Sequence, residues 1–221
     1  MERILFVCTG NTCRSPMAEA IFESKKQTEN FEARSAGIHG IEGIPMSEGS
    51  KAALAKRGII ESHQSSTLTE ESIRWSDIVL TMTETHKRLV LEQFPELADR
   101  VYTLKEYTLT DPELLKKIED LKDHTAQLEL KRASFLAANQ DKVEEYNQKK
   151  EVNNQESLEA QLLDQLHPHQ AAIDRIEWDL PSFDILDPFG HDQDIYEKTL
   201  LEIESAIEKL LEKLDQNEES N

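Results

Sequence analysis

The amino-acid sequence predicts an α/β fold, in which a four-stranded parallel sheet with flanking helices carries an inserted helical hairpin. In the first 110 residues, short apolar runs alternate with segments whose apolar residues recur every three or four positions. Strands and helices that alternate in this way are typical of parallel βαβ units. From residue 112 to about 177 the chain has no glycine and is rich in Glu, Lys, Gln, Asn and Leu, which indicates a separate helical segment.

The predicted sheet has four strands, at residues 2–7, 31–35, 77–82 and 100–104. The first strand contains an uninterrupted apolar run, as expected for a strand that is buried on both faces. Helices are predicted at residues 17–27, 47–57, 84–94 and 195–214, and a further helix begins at residues 68–71 with two glutamates. Ser15 is the predicted N-cap of the first helix, because Pro16 is favourable at a first helical position.

The inserted segment is predicted to form two antiparallel helices. A turn is predicted at Asn153–Asn154, and the second helix is expected to end near Pro168. The domains are therefore residues 1–111 with 178–221, and an insertion at 112–177. Disorder is the alternative for the insertion, since it is highly charged and has few aromatic residues. The two apolar stripes that predict the helices are Leu114, Ile118, Leu121, Thr125, Leu128, Arg132 and Phe135, and then Leu158, Leu162, Leu163 and Leu166.

The bulk composition excludes several classes of protein. The chain has 221 residues and a net charge of −19, which argues against a nucleic-acid partner and either favours a basic protein partner or simply aids solubility. The only two cysteines lie in one loop, so a disulfide framework is excluded and a reduced cytoplasmic location is expected. No apolar run reaches the ~18 residues of a membrane span or forms a signal peptide, so no membrane association is expected.

The strongest functional signal is the loop between the first strand and the first helix. Cys8 and Arg14 enclose five residues, and a loop of this length can direct several backbone N–H groups at one point. Gly10 and Asn11 tolerate the left-handed backbone that such a loop needs. The N–H groups, the Arg14 guanidinium and the positive end of the helix together match a tetrahedral oxyanion such as phosphate.

Cys8 lies at the base of this loop, where the helix terminus and Arg14 favour the thiolate. A thiolate beneath a bound phosphoryl group is a nucleophile for phosphoryl transfer, and Ser15 could donate its hydroxyl to the departing sulfur. Taken alone, a cysteine is more often a small buried residue at the end of a strand. Arg14 at this spacing, together with Gly10 and the strand–loop–helix context, favours the nucleophile.

Residues 8–15, Cys-Thr-Gly-Asn-Thr-Cys-Arg-Ser, resemble the phosphate loop of the low-molecular-weight protein tyrosine phosphatases, and most closely their protein-arginine-phosphatase branch. Further similar stretches lie at residues 34–37, 62–66, 77–83, 102–107 and 187–190. The resemblance covers about residues 1–110 and 182–215 and omits the segment between them. It implies the α/β phosphatase fold, phosphorylated protein substrates and no metal or organic cofactor.

The resemblance also implies a role for each matching position. Cys8 is the nucleophile, Arg14 binds the phosphoryl group and Asp187 is the general acid. As a carboxylate, Asp187 then accepts a proton from the water that attacks the phosphoenzyme; otherwise Asp187-Pro188 is an ordinary turn. Ser35 and His63 support the loop through Asn11. The substrate-binding positions are Thr9, Gly10, Asn11, Thr12, Cys13, Ser15 and Phe189.

Two loop residues leave alternatives open. Thr12 stands where the tyrosine-specific relatives carry an aliphatic side chain, and its hydroxyl suits a flat, polar guanidinium better than a phenyl ring. The alternative is that β-branched residues are interchangeable here. Cys13 is either a packed small residue or a redox partner that bridges to Cys8 on oxidation. The histidines show no metal-ligand spacing, so no metal site is predicted.

The hypothesis is therefore a cytoplasmic, cysteine-dependent phosphatase that hydrolyses phosphoarginine in proteins through a phosphocysteine intermediate. Hydrolysis of phosphotyrosine at the same site is the alternative. A thiol-coupled arsenate reductase would need cysteines outside the loop, and the sequence has none. Intact Cys8, Arg14 and Asp187 disfavour a non-catalytic binding module. Self-association through the insertion is an open expectation.

Overall fold

The computed structural model describes residues 2–60, 62–149 and 152–219. The chain divides into two units, Met1–Thr108 with Phe183–Asn221, and Leu109–Ser182. This division differs by a few residues from the predicted boundaries after residues 111 and 177. That the second unit is an insertion able to fold by itself stays a prediction.

The first unit is built on a four-stranded parallel sheet with the strand order β2-β1-β3-β4. The strands are β1 (Glu2–Cys8), β2 (Phe31–Gly37), β3 (Ile78–Thr81) and β4 (Val101–Thr103). The predicted fold class is confirmed.

Helices cover both faces of this sheet, which explains the uninterrupted apolar run of β1. Ile4 and Phe6 belong to one buried cluster together with α1 and α9, whereas Leu5 and Val7 belong to the cluster on the opposite face. In chain order the α-helices of the described residues are α1 (Arg14–Lys25), α2 (Glu48–Ala55), α3 (Glu70–Trp75), α4 (Glu84–Gln93), α5 (Leu104–Tyr107), α6 (Pro112–Ala138), α7 (Gln140–Lys149), α8 (Val152–Asp179) and α9 (Gln193–Glu219). None of them combines the length and apolar character that a membrane crossing requires.

Helix α1 begins earlier than predicted. Its first residue is Arg14 and its N-cap is Cys13, so the prediction of Ser15 as the N-cap is wrong. Pro16 is the third helical residue, where its missing N–H costs nothing because the first four N–H groups of a helix have no partner within it. The Ser15 hydroxyl donates instead to the Cys8 sulfur, at 3.0 Å.

In the second unit, α6 and α8 pack against each other through Leu128, Leu166 and Ile173. Three predictions for this unit are wrong. The predicted turn at Asn153–Asn154 falls within α8, and α8 continues through Pro168 to Asp179 instead of ending there. Packing on both sides of the proline, at Leu166 and Ile173, offsets the loss of the backbone hydrogen bond that Pro168 cannot make. Of the second predicted stripe, Leu163 is exposed rather than buried.

The topology brings the ends of several elements together at one edge of the sheet. Cys8, the last residue of β1, pairs with Gly37 at the end of β2, and the Met82 N–H beyond β3 donates to the Val7 carbonyl at 2.9 Å. Ile185 in turn donates to the Met82 carbonyl at 2.8 Å, which holds the loop before α9 at the same edge. In sheets of this kind, ligands bind outside the carboxyl ends of the strands.

Candidate active site

The loop from Cys8 to Arg14 encircles the cysteine sulfur. The Asn11 N–H and the Ser15 hydroxyl both donate to Cys8 Sγ, at 3.3 and 3.0 Å. Both donors are directed at the same sulfur atom. Cys8 is buried, and both it and Cys13 are free thiols.

Asn11 is the residue that gives the loop its shape. Its φ of 55° makes it the one non-glycine residue with positive φ in the described part of the chain, whereas Gly10, also expected to be left-handed, does not have positive φ. The Asn11 amide nitrogen donates to Ser15 and Ser35, at 3.0 and 2.7 Å. Its amide oxygen accepts from the Ser66 N–H at 2.7 Å and lies 3.2 Å from His63 Nε2. These bonds hold a backbone conformation that is otherwise unfavourable.

Gly37 lets the second strand approach the loop closely. A Cβ atom at this position would lie 2.9 Å from the Asn11 nitrogen, the Gly10 carbonyl carbon and the Thr9 carbonyl oxygen. All three are backbone atoms, so any side chain here would displace the loop. The glycine of the 34–37 stretch is therefore required by packing.

Arg14 connects the loop to the segment that precedes α9. Its guanidinium is buried and donates to the Asp187 carboxylate at 2.6 Å and to the Ile185 carbonyl at 3.3 Å. The Asp187 side chain is 51 % exposed and accepts a second hydrogen bond from the Phe189 N–H at 3.2 Å. A carboxylate that is held at a pocket mouth but open to solvent can exchange protons with both a substrate and water.

These residues surround a cavity of about 310 Å³. Phe189, 71 % exposed, stands at its rim together with Ile41 and Ile44 of the loop after β2. The floor is polar and the rim is apolar, which suits a substrate with a charged end and a longer side chain. The lining residues are Cys8, Thr9, Gly10, Thr12, Cys13, Arg14, His39, Ile41, Ile44, Asp187 and Phe189.

Thr12 and Cys13 lie on the side of the loop that faces α2. The Ser47 N–H donates to the Thr12 carbonyl at 2.9 Å, and Cys13 Sγ donates to the Ser47 hydroxyl at 3.2 Å. The Tyr196 hydroxyl lies 4.0 Å from Cys13 Sγ, and burial raises the pKa of this tyrosine. The Thr12 hydroxyl lies 3.7 Å from Cys13 Sγ, a weak contact that leaves the hydroxyl available to a ligand.

His86 and Tyr196 are among the residues beside the loop that the sequence did not suggest for the site. His86, in the first turn of α4, contacts the Thr9 hydroxyl, and Tyr196 of α9 lies beneath Cys13. No local pattern marks either residue, because each reaches the loop from a distant element. The rim residues Ile41 and Ile44, in contrast, belong to a glycine-containing segment that follows a strand end, and such a segment is expected to border a site.

Residues 3–149 of the chain match the family described as low molecular weight phosphotyrosine protein phosphatase. The chain belongs to this family. The matched range extends through α6 and α7 and ends before Asp187, so it differs from the expected coverage of about 1–110 and 182–215.

Members of the family that are similar to this chain include protein-arginine-phosphatases. The protein-arginine-phosphatase of Geobacillus stearothermophilus is 50% identical over 105 residues, which are 48% of this chain and 70% of that protein. The structure of the YwlE arginine phosphatase from Geobacillus stearothermophilus matches with a TM-score of 0.65 and 31% identity, and the match covers 100% of this chain and 97% of that one.

A second similar structure contains a phosphorylated active-site residue. It is a cysteine-to-serine mutant of a YwlE arginine phosphatase with a phosphorylated active-site serine, and it matches with a TM-score of 0.61 and 30% identity over 96% of this chain and 95% of that one. These similar proteins are arginine phosphatases, which confirms the branch that the loop sequence predicted. Within the described residues, no group of three or more His, Cys, Asp or Glu is arranged as metal ligands.

Proposed function

We propose that this protein hydrolyses phosphoarginine in proteins, with Cys8 as the nucleophile, Arg14 as the phosphoryl-binding cation and Asp187 as the general acid and base. The observation that carries the proposal is the geometry around Cys8 Sγ. The sulfur accepts hydrogen bonds from Asn11 and Ser15 at the base of a pocket where Arg14 and Asp187 are paired at 2.6 Å. This arrangement combines a nucleophile, an anion-binding cation and a proton donor within one cavity.

In the first step the Cys8 thiolate attacks the phosphorus and forms an S–P bond. The P–N bond of the phosphoarginine breaks, and its electron pair goes to the guanidino nitrogen, which takes a proton from Asp187. Protonation is needed because an anionic guanidine is a poor leaving group. Arg14 and the N–H groups of the loop stabilise the charge on the transferred phosphoryl oxygens.

In the second step a water molecule attacks the phosphocysteine. The S–P bond breaks, the electron pair returns to the Cys8 sulfur, and Asp187, now a carboxylate, accepts a proton from the water. The Ser15 hydroxyl, 3.0 Å from Cys8 Sγ, stabilises the departing thiolate. The phosphorylated serine in the mutant arginine phosphatase supports a phosphoenzyme at the corresponding step.

The choice of phosphoarginine rests on similarity and on Thr12. The Geobacillus stearothermophilus relative that is 50% identical is a protein-arginine-phosphatase. At the pocket wall Thr12 presents a hydroxyl with only a weak contact to Cys13, so it can accept a hydrogen bond from a guanidinium N–H. Phosphotyrosine is the second candidate substrate, because the apolar rim formed by Ile41, Ile44 and Phe189 would also accommodate a phenyl ring.

The proposal is tested with two peptides of the same sequence, one with phosphoarginine and one with phosphotyrosine. We expect the purified protein to release phosphate from the phosphoarginine peptide with the higher kcat/KM. Phosphate release from neither peptide would contradict the phosphatase proposal, and a preference for phosphotyrosine would contradict the substrate. Cys8→Ser is the matched control for contaminating phosphatases, since it changes a single atom of the nucleophile.

The proposal also covers the cellular location of the protein and its partners. Both cysteines are free, and a thiolate nucleophile retains its activity only where it stays reduced, which favours the cytoplasm. Phosphorylated proteins are the proposed partners. Redox pairing of Cys8 with Cys13 and self-association through the second unit stay predictions.

A further inference from the structure

His86 occupies a fixed position next to the phosphate loop. It lies in the first turn of α4, where its N–H donates to the Thr83 hydroxyl at 3.1 Å and completes the N-cap of the helix. The preceding strand, β3, is the direct neighbour of β1. The first turn of α4 therefore stands beside the residues that follow Cys8.

The contact between His86 and the loop is a single short hydrogen bond. His86 Nε2 lies 2.8 Å from the Thr9 hydroxyl, and the residue is only 5 % exposed. The other ring nitrogen, Nδ1, is the one buried side-chain N or O atom without a hydrogen-bond partner among the described residues. A buried, unpaired nitrogen destabilises a fold, so a function at the opposite side of the ring would explain why histidine occupies this position.

Thr9 is held from two directions. The His39 N–H donates to its carbonyl oxygen at 2.9 Å, and His86 contacts its hydroxyl at 2.8 Å. With both ends of the residue held, the backbone between Thr9 and Asn11 has little freedom. The N–H groups of that backbone are the ones that a bound phosphoryl group would use.

The electrostatic environment keeps the imidazole uncharged. Burial, followed by the neighbouring Arg14 guanidinium, lowers the pKa of His86 to about 4. Asp187 and Asp184 act in the opposite direction, and His39 adds a smaller lowering effect. Above pH 5 the ring is therefore a neutral hydrogen-bonding group, and Arg14 remains the charged group that binds the anion.

We propose that His86 is a positioning residue of the phosphate loop, which holds the Thr9 side chain and thereby fixes the N–H groups that bind the phosphoryl oxygens. The role rests on the proposed phosphatase function, but it acts on anion binding and not on the chemical step. It is therefore measurable with inorganic phosphate alone. A failure of the peptide hydrolysis assay and a failure of this inference would be seen in different measurements.

The test compares phosphate affinity in a set of variants of the full chain. His86→Leu and Thr9→Val each remove the hydrogen bond, and we expect each to weaken phosphate binding about fivefold, the usual net effect of one neutral hydrogen bond. The double variant should be no weaker than either single variant, because both remove the same bond. His86→Gln should recover part of the affinity, since its amide can still reach Thr9.

Val90→Ala is the control. Val90 is fully buried on the same helix, but it belongs to the buried cluster that contains Leu5 and Val7. It should lower the Tm without changing phosphate affinity. Additive losses in the double variant, or an unchanged affinity in Thr9→Val, would overturn the proposal.

If His86→Leu does not fold, Thr9→Val and the ¹⁵N resonances of the wild-type imidazole still decide the question. We expect the His86 ring to stay neutral from pH 5 to 8 and its Nε2 resonance to shift when phosphate binds. A ring that titrates near pH 6.5, or one that is insensitive to phosphate, would overturn the proposal.

Discussion

Arg14 and Asp187 are joined across 173 residues of sequence by an ion pair of 2.6 Å at the mouth of the pocket. The arginine is buried and the carboxylate is half exposed. In this arrangement the group that would bind the phosphoryl oxygens also holds the group that would supply the proton. A phosphoryl group that enters the loop competes with Asp187 for the guanidinium, so substrate binding is expected to release the carboxyl group toward the leaving nitrogen.

The role of Asp187 predicts a large loss on substitution. Asp187→Asn should lower kcat by about 10²–10⁴-fold, the usual contribution of a positioned acid–base group. Asp192→Asn is the matched control, since the Asp192 carboxylate accepts from the Ile195 N–H at the start of α9 and Asp192 is not among the residues that line the pocket. Steady-state kinetics from pH 5 to 8 measure both variants. An unchanged rate in Asp187→Asn would remove this residue from the chemistry.

Substitution of the nucleophile should separate binding from turnover. Cys8→Ser should keep phosphate affinity, because the loop and Arg14 are intact, while turnover is lost because a serine hydroxyl stays protonated here. Mass spectrometry after incubation with a phosphoarginine peptide would show whether the serine retains a phosphoryl group. Cys13→Ser, at the second cysteine of the pocket lining, tests whether the loss is specific to Cys8, since Cys13 donates to Ser47 and a serine can do the same. Activity of Cys8→Ser within tenfold of wild type would contradict the mechanism.

Thr12 is predicted to set the preference between guanidinium and phenyl substrates. Thr12→Val removes the hydroxyl at nearly constant volume, and Thr12→Ile also adds a methylene group. Both should shift the ratio of phosphoarginine to phosphotyrosine hydrolysis toward tyrosine, by about 5- to 150-fold, because an unpaired polar group in a buried site costs ~1–3 kcal/mol. Thr12→Ser should keep the wild-type ratio. If all three variants keep that ratio, Thr12 has only a structural role.

Asn11 offers a test of how the loop conformation is held. Asn11→Gly removes four side-chain hydrogen bonds but tolerates the φ of 55°, whereas Asn11→Ala removes the same bonds and adds a left-handed alanine. We expect Ala to lower the free energy of unfolding by about 1 kcal/mol more than Gly. Urea denaturation measures this difference directly. Equal stability of the two variants would mean that the loop relaxes once the asparagine is removed.

The features that sequence predicted well are those encoded by neighbouring residues. The apolar run of β1, the loop that follows it and Asn11 as a left-handed residue each depend on a few consecutive side chains. The hydrogen bonds that complete the site do not depend on consecutive residues. His86 reaches Thr9 from α4, the helix that follows β3, and Tyr196 reaches Cys13 from α9, so their positions depend on strand order and helix packing.

The errors in the second unit have a similar origin. A proline ordinarily ends a helix, and Pro168 does not, because Leu166 and Ile173 on either side of it are held against α6. Two consecutive asparagines ordinarily favour a turn, yet Asn153 and Asn154 lie in α8. Local propensity is a weak determinant where tertiary packing acts over a long helix.

The last prediction concerns the second unit, which we propose is an independent insertion. Replacing Leu109–Ser182 with a short glycine-containing linker should leave a folded enzyme active on small aryl phosphates. The buried clusters on both faces of the sheet contain residues of the first unit alone, and the Leu128, Leu166 and Ile173 cluster lies wholly in the second. Loop closure depends only weakly on length, so a shorter connection should not destabilise the sheet.

Two measurements decide between this proposal and its rival, in which the insertion controls the loop that carries Asp187. Circular dichroism reports whether the shortened protein folds, and hydrolysis of an aryl phosphate reports the state of the site. A folded but inactive protein would favour the rival, because the core and Cys8 would be intact while the acid was misplaced. Light scattering tests self-association, for which exposed Leu130, Leu163 and Trp178 offer apolar surface. If the second unit mediates self-association, the full chain is a dimer and the shortened chain a monomer. A monomeric full chain would contradict self-association while leaving the independent insertion intact.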